Sequence, residues 1–142
     1  MARRAGGGLR RSGATLMILS AMLLVVACGG DDDQAVEFEE GRIPDSVPRD
    51  FPVPEGAVIG ATMVDAANAR TEFSLTVDAD LPSVVQFFTI SLVNQGYVIE
   101  RSQGTSQTSW HMSFRRGDLS GEILVSSEGG SASQAIVILD VV

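Results

Sequence analysis

The chain has 142 residues, with 18 acidic side chains against ten cationic ones, and a formal net charge of −8. That length limits it to one domain of ordinary size, and so acidic a surface repels nucleic acid and anionic lipid head groups. One histidine and one cysteine in the whole chain leave no ligands to spare for a Cys/His metal centre.

Residues 1–11 carry Arg3, Arg4, Arg10 and Arg11 and no acid, and residues 14–27 are apolar apart from Thr15 and Ser20. A basic start, a short apolar run and a small residue at its end describe an export signal. The run is shorter than the roughly 20 residues that span a bilayer. It stops at Cys28, Gly29, Gly30 and three consecutive aspartates. Arg10-Arg11 precedes Ser12-Gly13-Ala14, which suits a twin-arginine signal poorly, so the general secretory route is expected.

The stretch Leu23-Leu24-Val25-Val26-Ala27-Cys28 resembles the lipobox of bacterial lipoproteins, with Val25 where leucine is commoner. The resemblance implies a signal peptide over 1–27, cut by a type II signal peptidase between Ala27 and Cys28. It also implies lipidation of Cys28 by a diacylglycerol thioether and a further acyl chain such as palmitate. The acylated cysteine then makes membrane lipid a partner and caps a thiol that would otherwise stand alone in an oxidising compartment. One acyl chain anchors only marginally, at about 0.8 kcal/mol per buried methylene, so two or three chains are needed for a lasting hold. The expected location is the bacterial cell membrane or the outer membrane, with the domain extracytoplasmic. Residues 28–142 keep all the acids against Arg42, Arg49, Arg70, Arg101, Arg115 and Arg116. No basic patch assists the lipid.

Residues 28–50 read as the lipidated cysteine followed by a disordered acidic tether. Asp31, Asp32, Asp33, Glu37, Glu39, Glu40, Asp45 and Asp50 outnumber Arg42 and Arg49, with prolines at 44 and 48. Low hydrophobicity with high charge favours disorder. Deleting 31–48 is therefore expected to leave the melting temperature nearly unchanged. The aspartate triplet lacks the alternating ligands, glycine and closing glutamate of a calcium loop, and reads as a solvated spacer.

Residues 51–142 read as a single α+β domain, one helix packed on an antiparallel sheet in the order ββαββββ. Phe51 to Ala57 is a proline-stiffened entry in which Phe51 and Val53 dock on the domain edge. Val58 to Val64 is a strand, Asp65 to Ala69 a turn, and Phe73, Leu75 and Val77 alternate with polar residues in a half-buried strand. Asp78 and Asp80 precede Leu81-Pro82, marking a helix start. Leu81, Val84, Val85, Phe88 and Leu92 make its apolar stripe, and Gly96 suits a left-handed cap. Tyr97 to Arg101 is a strand and 102–108 a polar loop. Trp110, Met112 and Phe114 share one side of the next strand. Turns at Gly117-Asp118 and Gly129-Gly130 follow. Leu119 to Val125 alternates, and Ala135 to Val142 suits a strand covered on both faces or one at a subunit contact. The helix is expected on the face of Phe73, Trp110, Met112, Phe114, Ile123 and Val125.

Pro52, Pro54, Gly56, Ala57, Gly96 and Tyr97 are similar to the entry and helix exit of small domains in uncharacterised bacterial lipoproteins. The layout is also faintly similar to the helix-on-sheet domains of a lipoprotein of the outer-membrane assembly machinery. Neither resemblance implies catalytic residues.

No constellation carries chemistry, so no catalytic, metal or cofactor-binding residue is assigned and the chain reads as a non-enzyme. His111 reads as a surface side chain; no Gly-x-Ser-x-Gly elbow accompanies it. Asp78 and Asp80 read as helix-capping rather than an acid–base pair. Arg115 and Arg116 read as neutralising Asp118 or Glu122 rather than binding an anion, and Trp110 and Phe114 as core rather than a ligand groove. Gly104 and Gly129-Gly130 lack nucleotide-loop spacing. The expected function is a non-catalytic interaction module of the cell envelope, docking an envelope protein through a sheet edge, the helix or the 102–109 loop. The alternative is a small-ligand carrier or hydrolase with a pocket between helix and sheet.

Overall fold

The period-two stretches of the sequence become strands and its one 3.6-periodic stretch becomes a helix. The computed structural model describes residues 36–141; the export signal, Cys28 and residues 28–35 of the expected tether lie outside the described residues. The elements are β1 (Val36–Glu40), β2 (Val58–Asp65), β3 (Arg70–Val77), α1 (Leu81–Asn94), β4 (Val98–Ser106), β5 (Ser109–Arg116), β6 (Leu119–Gly129) and β7 (Ala132–Val141). All seven strands form one sheet in the order β1-β2-β3-β7-β6-β5-β4, and every pairing is antiparallel. The expected order ββαββββ therefore gains a strand at its start, and the domain is richer in sheet than expected.

The helix lies on the face foreseen. Phe73, Leu75, Met112, Phe114, Ile123, Val125 and Val137 are buried, as are Val84, Phe88 and Leu92 of α1, while Trp110 packs half-buried at the margin. Asp80 caps the helix: its carboxylate accepts the Ser83 N–H at 3.0 Å, and Pro82 sits in the first turn, where no N–H is missed. At the other end Gly96 takes φ 80°. The Tyr97 N–H donates to the Leu92 carbonyl and the Gly96 N–H to that of Val93, the two bonds of a Schellman motif. Gly121 is needed for space rather than for its backbone angle. It pairs with Phe114, and a Cβ there would meet the Phe114 ring at 2.5 Å and the Ile138 carbonyl at 2.8 Å.

Two expectations are corrected. The acidic stretch after residue 35 is not a free tether. Val36–Glu40 pairs with β2 along its whole length, Pro44 and Pro48 open turns closed by the Val47 and Phe51 N–H groups, and Val47 is buried. Phe51 goes further than an edge dock. Its ring stands 6.0 Å from Phe73 and 6.1 Å from Tyr97, both edge-on, and 6.0 Å from Phe114, an aromatic cluster at the middle of the core. The second correction concerns 102–106. These residues extend β4 into a long hairpin with β5, turning at Gln107-Thr108. Hydroxyl pairs stitch it, with Thr105 to Ser109 at 2.7 Å and Ser106 to Ser109 at 2.6 Å. The Trp110 indole N–H donates to Ser102 Oγ at 2.9 Å.

β7 carries Ser133, Ala135, Val137 and Leu139 buried toward the helix side, with Gln134, Ile136, Ile138 and Asp140 half-buried on the other. The apolar run suits a strand covered on both faces or one at a subunit contact. Only one of its faces lies under α1.

Candidate functional site

Paired residues of an antiparallel sheet share a face, so the register assigns the side of the sheet that α1 leaves open. One row crosses it from Phe38 through Met63, Glu72, Ile138 and Glu122 to Ser113. The next brings Ser74, Ile136, Leu124 and His111 side by side. Phe38 is 75% exposed and Leu124 42%, while Met63, Ile136 and Ile138 are half-buried. Charged side chains interrupt the first row, Glu72 between Met63 and Ile138 and Glu122 beyond Ile138, and each belongs to an ion pair. Arg70 stands 3.6 Å from Glu72 and 3.8 Å from Asp140, and His111 Nε2 is 3.4 Å from Glu122.

The residues singled out from sequence fall in separate places. His111 lies on this open face beside Leu124, with Glu122 its only ion-pair partner among the described residues. Asp80 caps α1, but Asp78 does not: its carboxylate accepts from the Ser131 hydroxyl at 3.2 Å, tying the β6–β7 turn to the helix entry. Arg115 and Arg116 are neutralised by residues other than those expected. Arg115 pairs with Glu100 at 3.0 Å and Arg116 with Asp50 at 2.6 Å. Arg116 also donates to the Gln95 carbonyl and lies over the Tyr97 ring at 4.2 Å. The hydrogen bond from Arg116 holds the Asp50 carboxyl below the usual carboxylate range, and the same bond raises the guanidinium. Burial pushes the Tyr97 phenol up. This cluster fastens the entry segment to β5 and to the end of α1. Gly104 lies under the Trp110 ring, 3.4 Å from where its Cβ would be, a packing role.

A second feature went unread in the sequence. Beneath β1, on the helix side of the sheet, is a cleft of about 150 Å³ lined by Glu37, Glu39, Arg42, Asp45, Ser46 and Thr62. Arg42 grips Glu39 through Nη2 at 2.8 Å and Nε at 3.1 Å. That hydrogen bond, then the charges of Glu39, Asp45 and Glu37, hold the guanidinium above its ordinary value. Thr62, 3% exposed, lines the same cleft and has no hydrogen-bond partner for its hydroxyl. The signal for β1 was present as Val36 and Phe38 alternating with Glu37 and Glu39; the surrounding acids masked it.

Among the described residues no group of three His, Cys, Asp or Glu side chains converges to hold a metal. No helix among them is long and apolar enough to cross a membrane. Another cleft, of about 280 Å³, reaches the helix–sheet interface at the first turn of α1, where Val77 and Val84 form part of its lining beside Pro54, Asp78 and Phe87. Comparison with protein-family models, curated proteins and solved structures finds no match.

Proposed function

We propose that the protein is an extracytoplasmic lipoprotein, anchored to membrane lipid through acylated Cys28, whose domain is a non-catalytic module that docks an envelope protein. The observation that carries the docking reading is the open face of the sheet, where Phe38 and Leu124 stand exposed, Phe38 beside Met63 in one row and Leu124 beside Ile136 in the next. Exposed apolar side chains set among charged ones on one face are characteristic of surfaces that meet a partner. Along most of α1 the space beneath it, where a carrier or hydrolase would hold its ligand, is closed by Phe88 and Leu92, both fully buried, which favours docking. The cleft of about 280 Å³ at the first turn, lined in part by Val77 and Val84, is the place left for the small-ligand alternative.

Photo-crosslinking in cells tests it. A photoreactive side chain at Leu124 or Ile138 is expected to give a discrete higher-mass adduct, and the same group at Gln86 on the outer side of α1 is not. No adduct from either open-face position, or the same adduct from Gln86, refutes the reading.

A further inference from the structure

We propose that the β1 edge and the cleft beneath it form a docking site for an extended basic segment of a partner protein. The segment adds a strand outside β1 and lays a lysine or arginine side chain into the cleft. This deepens the docking-module reading and rests on it.

The argument begins at the edge. Among the described residues β1 ends the sheet, pairing with β2 alone, and all five of its residues are exposed. A sheet edge offers unpaired N–H and C=O groups to any extended chain, and proteins blunt it with lysine, proline, bulges or a covering element. Val36–Glu40 contains no lysine and no proline, and its register with β2 runs without a bulge. What protects it among the described residues is its shortness, five residues, and the negative charge of Glu37, Glu39 and Glu40. That charge repels a second copy of this acidic chain and attracts a basic segment, so the device that prevents self-pairing also selects the partner.

The cleft supplies the second, independent observation. Of its carboxylates Glu39 is paired directly with Arg42; among the described residues Glu37 and Asp45 make no ion pair and act on Arg42 only through charge at longer range. Thr62 pairs with Glu39 across the strands, so its side chain shares the cleft side of the sheet. A hydroxyl that is 97% buried and unpaired is an exception among native polar groups and calls for an explanation. An ammonium has three N–H donors and no acceptor, and a guanidinium five. Either satisfies a set made of two free carboxylates and one free hydroxyl. A bare metal ion fits less well, because no three acidic or histidine side chains converge here.

Strand geometry then specifies the segment. Successive side chains of an added strand alternate between faces. Residues on the cleft side meet Glu37, Asp45 and Thr62, and those between them fall on the open face beside Phe38, which pairs with Met63. The fitting sequence alternates basic with apolar residues.

The test uses the full chain in detergent micelles and a nine-residue peptide of alternating lysine and valine. Controls are the same peptide with glutamate in place of lysine and one with proline at alternate positions. The lysine peptide is expected to bind, to weaken as salt rises, and to slow amide exchange at residues 36–40. The double variant Glu37→Gln/Asp45→Asn is expected to weaken binding by about tenfold, as loss of charge complementarity does. Thr62→Val should weaken it several-fold while the melting temperature holds or rises, an outcome that a merely structural threonine would not give. Equal binding of the glutamate peptide overturns the proposal. So does slowed exchange at 98–106 in place of 36–40, unchanged affinity in both variants, or displacement of the peptide by calcium alone. If the peptide fails to bind while Leu124 still yields its adduct, the edge proposal falls and the docking module stands. If both are silent, both fall.

Discussion

Asp50 and Phe51 are neighbours in sequence that hold the entry segment by different physics. Phe51 fills a site among Phe73, Tyr97 and Phe114, so Phe51→Ala removes a ring the core cannot replace. A loss of roughly 3–5 kcal/mol is expected for such a truncation, read from urea unfolding; a loss below 1 kcal/mol would show that the ring is not part of the core. Asp50 acts through charge. Its carboxyl titrates lower in the folded chain than in the unfolded one because Arg116 donates to it. A depressed carboxylate stabilises the fold above its unfolded pKa and ceases to do so as pH falls through the folded value. The melting temperature is therefore expected to fall as pH drops below about 4. Part of that fall should be missing in Asp50→Asn, which starts lower at neutral pH. Asp65 and Asp80 are depressed in the same direction by bonds from Asn68 and Ser83, so the residual slope in the variant has a source.

α1 is held at three levels, by its cap, its apolar stripe and its glycine exit. Phe88 is fully buried, and Phe88→Ala is expected to cost roughly 3–5 kcal/mol. Asp80→Ala, which removes only the cap, is expected to cost about 1 kcal/mol. Equilibrium unfolding of both variants checks the ranking, and a larger loss from the cap than from the core would contradict it. The segment from β1 to Val47 makes the opposite case to the one its composition suggests. Deleting 31–48 removes a five-residue strand from β2 and a buried valine, and is expected to lower the melting temperature by several degrees. An unchanged melt would return the segment to the status of a spacer.

For the molecule as a whole, the proposed anchor and the domain make separate predictions. With six arginines against eighteen acids in residues 28–142, this part of the chain is repelled by anionic head groups, so the proposed membrane attachment rests on lipidation of Cys28. Cys28→Ser is expected to abolish incorporation of labelled palmitate and to accumulate an uncleaved or mislocalised protein. The domain's resistance to protease should be unchanged, and label in the serine variant would overturn the lipobox reading. The domain is asymmetric in the complementary sense. One side of the sheet is closed by α1, and the other keeps apolar side chains interspersed with ion-paired ones.

Local patterns determined the helix, its cap and exit, the alternation in β3, β5 and β6, and the choice of face, because those signals are carried by residues two to four apart. Asp80, Phe88, Gly96 and Met112 stand where their spacing put them. What only the tertiary structure decided were contacts whose partners lie far along the chain. Val36 and Phe38 make a strand because β2 is there to receive them, although the acids around them dilute any local measure of hydrophobicity. Ser102 to Ser106, polar enough to read as a loop, is extended because β5 supplies its hydrogen bonds. Arg116 finds Asp50 at a separation of 66 residues, and Thr62 comes to share a cleft with Glu37 and Asp45 only once β1 has docked. Pairing energy in a sheet belongs to two strands at once, and no single stretch of sequence contains both.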